Sequence, residues 1–579
     1  MKLVEALEIL RDERSALVQK LRLYLACGFT PLHLPTFLAA QLRILLPQQQ
    51  VEFHAGLYGD FWGNLEKAER ARTDTAIVVM EWGDLDPRLG LRSLGSWSPD
   101  VFPDILSQAK IRTDQFRELI QKIASEVPVV ICFPTLPLPP VSFSVSGQST
   151  AFDLQIRACV ADLSVEVSRV KGVRVLNAQR LDTLSPLNSR LDLKSELVSG
   201  FPYKLSHAST MAELLTKLVQ RPTPKKGLIT DLDDTLWSGI LGESGEHGIS
   251  WDLEHNSHIH GLYQRFLQAL SQSGVLIAAA SKNDPVVVEK AFQRKDLILS
   301  QTALFPIDAH WGAKSESVSR IVKTWNIGAD SIVFIDDSPM ELAEVKTVHP
   351  DVECILFPKN DYQAMYELMY RLRDLFGKDT VTTEDTIRQE SIRRAHTHAE
   401  HGENHPGTPE QFLEQAEAEL TIELSKESVD GRALELINKT NQFNLNGKRH
   451  TESSWRTYLK EPDTIVMVVA YQDKYGPLGK IAVLAGRIKG SFLSLDTWVM
   501  SCRAFSRRIE HKSLEELFER FHLETISFDF QTTAKNSPVR DFLTEILGTA
   551  PSEGSRLSRD ELIRRQVRTF HKVMEAPRG

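Results

Sequence analysis

Cysteine, basic charge and long hydrophobic runs are all scarce in this 579-residue chain. Its five cysteines form no Cys-x-x-Cys pair, which excludes a disulfide scaffold and a zinc site of common spacing and suits a reducing cytoplasm. The formal charge of −9 provides no general attraction for nucleic acid. No apolar run approaches the ~20 residues of a membrane span. We therefore expect a cytoplasmic protein that binds neither nucleic acid nor membrane.

Hydrophobic residues make up 42% of the chain, enough to build several packed domains. Residues 1–220 alternate helical patterns with short apolar runs such as AIVVM at 76–80, which predicts an open α/β sheet. The same alternation recurs in residues 222–377. A polar stretch at 378–414 is typical of a linker, and strand patterns dominate residues 415–579, which predicts an α+β domain.

Chemically distinctive residues follow three predicted strands of the second domain: GLIT at 227–230, VLIAAA at 275–280 and SIVFI at 331–335. Because open α/β sheets build their sites at the carboxyl ends of their strands, we expect these residues to meet in one crevice. Lys314, just ahead of a further predicted helix, belongs to the same set. The candidate site residues are Asp231, Asp233, Ser281, Lys282, Asn283, Lys314, Asp336 and Asp337.

Each of these residue types suits one part of phosphoryl transfer. Asp231 can attack phosphorus while Asp233 handles the proton. Ser281 can hydrogen-bond a phosphoryl oxygen, and Lys314 provides a fixed positive charge. The acid pair at 336–337, grouped with Asp231, offers the hard oxygen ligands that suit Mg²⁺. The pattern predicts a Mg²⁺-dependent phosphoryl-transfer site; the alternative is a set of polar surface loops.

This part of the chain resembles the haloacid dehalogenase (HAD) superfamily, on the strength of four motifs. DLDDTLW at 231–237 matches the first motif, Ser281 the second, Lys314 the third and DDSP at 336–339 the fourth. The resemblance implies a Rossmann-like parallel sheet, with Asp231 as nucleophile and the second aspartate of the first motif as general acid and base.

The resemblance also implies ligands for a metal and for phosphate. Mg²⁺ would be held by Asp231, by the backbone carbonyl of Asp233 and by one or both acids of the fourth motif. The residues assigned to phosphate binding are Ser281, Lys282, Asn283 and Lys314.

The spacing of the motifs predicts only a minimal cap over this site. HAD proteins insert a cap after the first motif or between the second and third. Here 24 residues separate Thr235 from Ile259, and 33 separate Ser281 from Lys314, too few for a full cap domain. A Gly-rich flap at 237–248 would leave the site open to a bulky carrier-bound arm or a protein, or a neighbouring domain would serve as its lid.

Longer strings narrow the resemblance: DLDDTLWSGILGESG at 231–245, FIDDSPMELAEV at 334–345, INKTNQFNLNGKRH at 437–450 and SCRAFSRRIE at 501–510. Together they resemble the FkbH-like proteins of polyketide biosynthesis, whose long members carry an N-terminal SGNH-like region and a C-terminal GNAT-like region. The resemblance implies that a glyceryl unit from 1,3-bisphosphoglycerate loses phosphate and is loaded as a thioester on acyl carrier protein.

Three departures from the family pattern keep alternatives open. Ala280 stands where some relatives have a cysteine. If that thiol holds the acyl group in those relatives, this protein would transfer the group directly, use another cysteine, or act on a different substrate. The first domain lacks a Gly-Asp-Ser block, which predicts that it is not hydrolytic. RAFSRR from Arg503 lacks the small residues of a coenzyme A loop. The other hypotheses are a HAD phosphatase for another small or carrier-bound phosphate ester, and a non-catalytic assembly-line scaffold.

Overall fold

The computed structural model describes residues 1–11, 19–47, 49–92, 98–145, 147–378, 381, 392–393, 409–424, 431–474, 476–501, 504–505, 507–533, 535–565 and 567–576. Contacts divide the chain into two compact units, Met1–Pro222 with His450–Thr457 and Thr223–Arg449 with Tyr458–Gly579. Most of the predicted linker at 378–414 lies outside the described residues. None of the described helices has the length and apolar character needed to cross a membrane.

The first unit is built on a five-stranded parallel sheet with the order β2-β1-β3-β4-β5. Its strands are β1 (Gln19–Cys27), β2 (Gln49–Ala55), β3 (Thr75–Val79), β4 (Val129–Cys132) and β5 (Val173–Val175). Its helices are α1 (Leu3–Arg11), α2 (Leu34–Leu45), α3 (Phe61–Arg70), α4 (Trp82–Leu85), α5 (Phe102–Glu126), α6 (Ala151–Ser168), α7 (Ala178–Leu184), α8 (Leu193–Ser199) and α9 (Leu205–Val219). Alternate residues of β3 belong to two separate core clusters, so both faces of the sheet are covered.

The second unit contains another five-stranded parallel sheet, with the order β10-β9-β6-β7-β8. Its strands are β6 (Gly227–Thr230), β7 (Leu276–Ser281), β8 (Leu304–Ala309), β9 (Ile332–Asp336) and β10 (Glu353–Leu356). The helices around it are α10 (Leu241–Ser244), α11 (His258–Gln272), α12 (Pro285–Phe292), α13 (Lys314–Trp325), α14 (Pro339–Val348) and α15 (Tyr362–Phe376).

The predicted α/β class is confirmed, and the three strands predicted before the motifs fall on β6, β7 and β9. The sequence pattern does not predict β8 and β10. The first, LFPIDA, contains a proline and an acid, and the second, ECIL, is short and half-buried. Neither presents the uninterrupted apolar run that marks a buried parallel strand.

The helix boundaries next to β7 follow from local sequence. Asp284 is the N-cap of α12 and its side chain accepts a hydrogen bond from the backbone N–H of Val286, with Pro285 in the first helical position. Beyond the end of α11, Gly274 has a φ of +78°, a conformation that glycine adopts without a steric penalty. These caps fix where the chain enters and leaves the strand that carries the second motif.

The segments that could hold a cap domain are short in the structure as well. Residues 223–378 are described without a gap, and between β6 and α11 they contain α10 and two isolated bridges, Asp233 with Trp237 and Ser238 with Ser250. Between β7 and α13 the chain forms α12, one 3₁₀ turn and β8. The carboxyl edge of this sheet therefore has the minimal cap that the motif spacing predicts.

The second unit also contains a mixed sheet with the order β17-β16-β15-β14-β13-β11-β18, in which β12 pairs with β15. Its strands are β11 (Glu419–Glu423), β12 (Phe443–Asn444), β13 (Thr464–Asp473), β14 (Gly476–Lys489), β15 (Phe492–Met500), β16 (Thr525–Asp529), β17 (Glu553–Ser558) and β18 (Lys572–Glu575). The helices along this part of the chain are α16 (Pro409–Gln415), α17 (Gly431–Lys439), α18 (Glu452–Lys460), α19 (Ile509–Arg520), α20 (Ser537–Leu547) and α21 (Arg559–Arg565). The residues of α18 up to Thr457 belong to the first unit. The predicted GNAT-like character of this region stays a prediction.

Candidate active site

Three acids meet at the carboxyl edge of the second sheet. Asp231 follows β6 directly, Asp336 ends β9, and Asp337 is the next residue. Because β6 and β9 are paired neighbours, the loops that leave them are adjacent, and the backbone N–H of Asp231 donates to the carbonyl of Ile335 at 2.9 Å. One carboxylate oxygen from each acid lies within 4.8 Å of the other two. The structure thus brings together the three acids that the motifs single out.

Lys314 places its ammonium group between two of these acids. Its Nζ lies 2.6 Å from Asp231 Oδ1 and 2.6 Å from Asp336 Oδ2. Lys314 is the first residue of α13 and is 4% exposed. Burial opposes the charge of this lysine, but the two carboxylates outweigh that effect and raise its pKa. The third motif therefore supplies a fixed cation inside the acid cluster.

The two acids on either side of Lys314 are strongly desolvated. Burial raises the pKa of Asp231 and of Asp336, while the ammonium of Lys314 acts in the opposite direction on both. Asp336 is further held by the backbone N–H of Ser338, which donates to its Oδ1 at 2.8 Å. Desolvated carboxylates at this spacing are stabilised in their ionised form by any additional cation.

The donor set fits a Mg²⁺ ion. Three carboxylates offer hard oxygen ligands from two adjacent loops, and the ammonium groups of Lys314 and Lys359 still leave the group of Asp231, Asp336 and Asp337 with an excess of negative charge. Mg²⁺ is bound in proteins by a few carboxylates together with water and substrate phosphate. Asp231, Asp336 and Asp337 are therefore the residues that would hold the ion.

Asp233 lies outside this three-acid group and is held by other donors. Its Oδ1 accepts hydrogen bonds from Trp237 Nε1 at 2.9 Å and from the backbone N–H of Leu241 at 3.2 Å. Its Oδ2 accepts from Asn283 Nδ2 at 2.9 Å, and the same amide nitrogen donates to Ser281 Oγ at 2.9 Å. The first and second motifs are thus joined through Asn283, and the first two contacts tie Asp233 to the flap.

Lys282 behaves differently from its neighbours in the second motif. Its Nζ donates to Glu341 Oε1 at 2.7 Å, whereas Ser281 and Asn283 are 3% and 2% exposed and face the first motif. The structure gives Lys282 an ion pair with α14, and its predicted role in phosphate binding stays a prediction.

Two further residues at this edge are not among the site residues predicted from the sequence. Lys359, in the loop after β10, places its Nζ 2.8 Å from Asp337 Oδ2 and 2.8 Å from Asp234 Oδ2. These two hydrogen-bonded carboxylates raise the pKa of Lys359. Asp234 has a φ of +50° and its side chain accepts the backbone N–H of Gly239. The only sequence signal for Asp234 is its place inside DLDD; Lys359 has none.

Among solved structures, the chain is similar to the N-terminal part of a Bacteroides fragilis protein described as containing a phosphatase domain complexed with Mg. That match has 19% sequence identity and a TM-score of 0.52, and it covers 66% of this chain and 100% of the other. At this identity the similarity shows a shared fold.

A second match is a structure described as a putative UDP-N-acetylglucosamine 2-epimerase from Listeria monocytogenes, at 10% identity over 66% of this chain and 98% of the other. Its TM-score of 0.14 does not indicate a shared fold. No protein-family model matches the chain. No curated protein matches it either.

Proposed function

We propose that the second sheet carries a Mg²⁺-dependent phosphatase or phosphotransferase site of the HAD type, with Asp231 as nucleophile. The observation that carries this proposal is the buried group in which three carboxylates and the Lys314 ammonium approach one another at the end of a parallel sheet. The fold shared with a structure described as a phosphatase domain with Mg supports the same chemistry here.

The residues present can perform both halves of a phosphate hydrolysis. A carboxylate oxygen of Asp231 would attack phosphorus, the P–O bond to the leaving group would break, and the leaving oxygen would take a proton from Asp233. Water would then attack the phosphorus of the aspartyl phosphate while Asp233 accepts its proton, which restores Asp231 and releases phosphate. Lys314 stabilises negative charge on the phosphoryl oxygens. When bound, Mg²⁺ supplies further positive charge at the same oxygens.

The flap takes part in this scheme through Asp233. Because Trp237 and Leu241 donate to one of its oxygens, the orientation of the proton-transferring carboxylate depends on the conformation of the flap. Asn283 holds the other oxygen and also contacts Ser281, so a phosphate bound at Ser281 would lie near the group that protonates its leaving oxygen. Ser281 and Asn283 are therefore the phosphate-binding residues that the geometry favours.

For the substrate, the proposal follows the FkbH-like resemblance: a glyceryl unit derived from 1,3-bisphosphoglycerate, which loses phosphate and is loaded as a thioester on acyl carrier protein. An acyl phosphate transfers its acyl group to a thiol, while the second phosphate is an ester that needs a phosphatase site. The short cap segments support this substrate, because a carrier-bound arm needs access that a full cap domain would block.

The described cysteines favour direct transfer of the acyl group to the carrier. Burial raises the pKa of all four, and the thiolate is the form that acts as a nucleophile. These residues are Cys27, Cys132, Cys159 and Cys354. The fifth, Cys502, lies outside the described residues.

Intact-protein mass spectrometry of a phosphopantetheinylated carrier protein tests the proposal, with 1,3-bisphosphoglycerate, Mg²⁺ and this protein present. A glyceryl-mass adduct with the wild type, and a phosphorylated or absent adduct with Asp231→Asn, is the expected result. Asp296→Asn, an exposed acid paired with Arg294, is the matched control and should behave as wild type. An unmodified carrier in the presence of its cognate partner would contradict the glyceryl assignment.

The second candidate is a phosphatase that acts on another small or carrier-bound phosphate ester. The fold shared with a structure described as containing a phosphatase domain supports this candidate. Release of inorganic phosphate from a panel of phosphate esters without carrier protein would select this candidate over the first.

A further inference from the structure

We propose that three exposed apolar side chains around the carboxylate site, here called the apolar rim, recognise the organic part of the substrate. The rim consists of Ile240, Trp311 and Met340, which are 43%, 72% and 73% exposed. The inference rests on the proposed phosphatase site and adds a substrate class to it: a phosphate ester carried on an uncharged arm of several carbons.

Hydrogen bonds to the site residues locate each member of the rim. Ile240 immediately precedes Leu241, whose backbone N–H donates to Asp233 at 3.2 Å. Trp311 immediately follows His310, whose backbone N–H donates to the carbonyl of Ser281 at 3.1 Å. The chain neighbours of Ile240 and Trp311 therefore contact the loops of the first and second motifs.

Met340 is placed in the same way by the fourth motif. It lies two residues after Ser338, whose backbone N–H donates to Asp336, and one residue before Glu341, which pairs with Lys282. The three rim residues leave β6, β8 and β9 at their carboxyl ends, within the adjacent strand series β9-β6-β7-β8. All three consequently stand at the edge of the sheet that holds the acids.

The loop that presents Trp311 is braced by hydrogen bonds. His310 Nδ1 accepts the backbone N–H of Gly312 at 2.8 Å, and its Nε2 lies 2.7 Å from Ser317 Oγ on α13. A Cβ at Gly312 would lie 2.8 Å from His310 Nδ1 and 3.0 Å from the carboxylate of Glu316, so a side chain there would displace one of these two groups. Trp311 is thus held in solvent by a defined turn, three residues before Lys314.

Packing within the fold does not explain why the three apolar side chains of the rim are exposed. Single exposed apolar residues are ordinary on protein surfaces, but apolar side chains grouped around convergent polar groups are typical of ligand sites. A small polyanion would gain nothing from an apolar rim, whereas an uncharged arm attached to the phosphate would bury part of it. The rim therefore favours removal of the ester phosphate from a glyceryl unit already attached to the carrier arm, and disfavours its removal from free 1,3-bisphosphoglycerate.

Isothermal titration calorimetry of the full chain tests this inference, using Asp231→Asn to prevent turnover, Mg²⁺, and two probes, methyl phosphate and hexyl phosphate. We expect hexyl phosphate to bind at least about tenfold more tightly, because each buried methylene favours binding. Adding Trp311→Ala should reduce this preference to about twofold or less, and Trp311→Phe should retain most of it. Val348→Ala, at the last residue of α14 and 55% exposed, is the matched control and should retain it in full.

The outcomes separate this inference from the proposed function. Binding of both phosphates with equal affinity, or a preference that survives Trp311→Ala, would overturn the rim while leaving the phosphate site intact. Failure of both phosphates to bind would contradict the proposed phosphate site itself and, with it, the rim.

Discussion

Two buried carboxylates at the carboxyl edges of the two parallel sheets have opposite surroundings. Glu81, two residues beyond β3, accepts hydrogen bonds from the hydroxyls of Thr135 and Tyr203 at 2.7 and 2.8 Å and from backbone N–H groups. Asp231, directly after β6, faces the ammonium of Lys314 and two further acids. The first carboxyl is satisfied by neutral donors, whereas the second belongs to a group with excess negative charge.

The network around Glu81 continues into the interior of the first unit. His207 lies between Thr135 and Ser185, with ring nitrogens 3.1 and 2.9 Å from their hydroxyls, and is fully buried. Such a network stabilises the loops that it joins, and the non-hydrolytic character of the first domain stays a prediction. The same fold class thus supports two edges with different charge balance, and the excess of negative charge at the second edge is the feature on which the proposed phosphatase site depends.

The largest expected effect comes from removing the cation that distinguishes the second edge. Lys314→Met should lower kcat for phosphate release by about 10²–10³-fold, because a fixed positive charge at the developing oxyanion is lost. Glu81→Gln at the first edge is the control and should stay within about threefold of wild type. Steady-state kinetics with p-nitrophenyl phosphate measures both variants. Equal losses of kcat in the two variants would contradict the distinction between the two edges.

The free energy of unfolding should depend on pH through Glu81, the buried acid at the edge of the first sheet. Burial raises the pKa of Glu81 from 4.5 to about 7, so its protonated form is favoured in the folded protein. The associated stability is fully present below pH 4.5 and is lost as pH rises through about 7. Relative to Glu81→Gln, the wild type should lose on the order of 3 kcal/mol of unfolding free energy between pH 4.5 and 8.

Urea unfolding of both proteins across this pH range measures that difference. Asp84, whose pKa is raised to about 8 by burial and also by the charge of Glu81, is present in both proteins, so their difference reports Glu81 together with its effect on Asp84. A difference that does not vary with pH would show that Glu81 has the same pKa in the folded and unfolded protein, and would contradict the prediction.

Addition of Mg²⁺ should stabilise the second unit through its acid cluster. A ligand at a hundred times its Kd raises the free energy of unfolding by about 2.7 kcal/mol. Asp336→Asn together with Asp337→Asn should abolish the stabilisation, and removal of Mg²⁺ with EDTA should reverse it in the wild type. Differential scanning calorimetry provides the measurement; stabilisation that survives both substitutions would place the ion elsewhere.

The smallest expected effect comes from helix-capping aspartates, which occur in both units. Asp361 and Asp192 are N-caps of α15 and α8, and their side chains accept the backbone N–H groups of Ala364 and Ser195. Replacing either aspartate with alanine should cost about 1 kcal/mol of stability and leave catalysis unchanged. Chemical denaturation and phosphate release, measured side by side, would show whether capping acids and cluster acids are separable.

Much of the candidate site can be predicted from the sequence because its residues adjoin recognisable strands. Short apolar runs mark β6, β7 and β9, and the polar residue after each run is placed at the same edge by the topology of a parallel sheet. The convergence of Asp231 with Asp336 follows directly from this rule. Lys314 is predictable for a related reason, since it begins an amphipathic helix.

The remainder depends on contacts between residues that are distant in the chain. Lys359 bonds Asp234 across 125 residues, and nothing in its local sequence marks it. The ion pair of Lys282 with Glu341 likewise depends on the packing of α14. Trp311 is one tryptophan among nine in the sequence, and only its 72% exposure beside Ser281 distinguishes it.

The proposed mechanism depends most on the phosphorylation of Asp231 during turnover. Rapid acid quench of a reaction with p-nitrophenyl phosphate and Mg²⁺, followed by peptide mapping, measures this directly. We predict a phosphoryl adduct on the peptide that contains Asp231, present in Glu81→Gln and absent in Asp231→Asn. Steady release of phosphate by Asp231→Asn, or an adduct on another residue, would contradict the account.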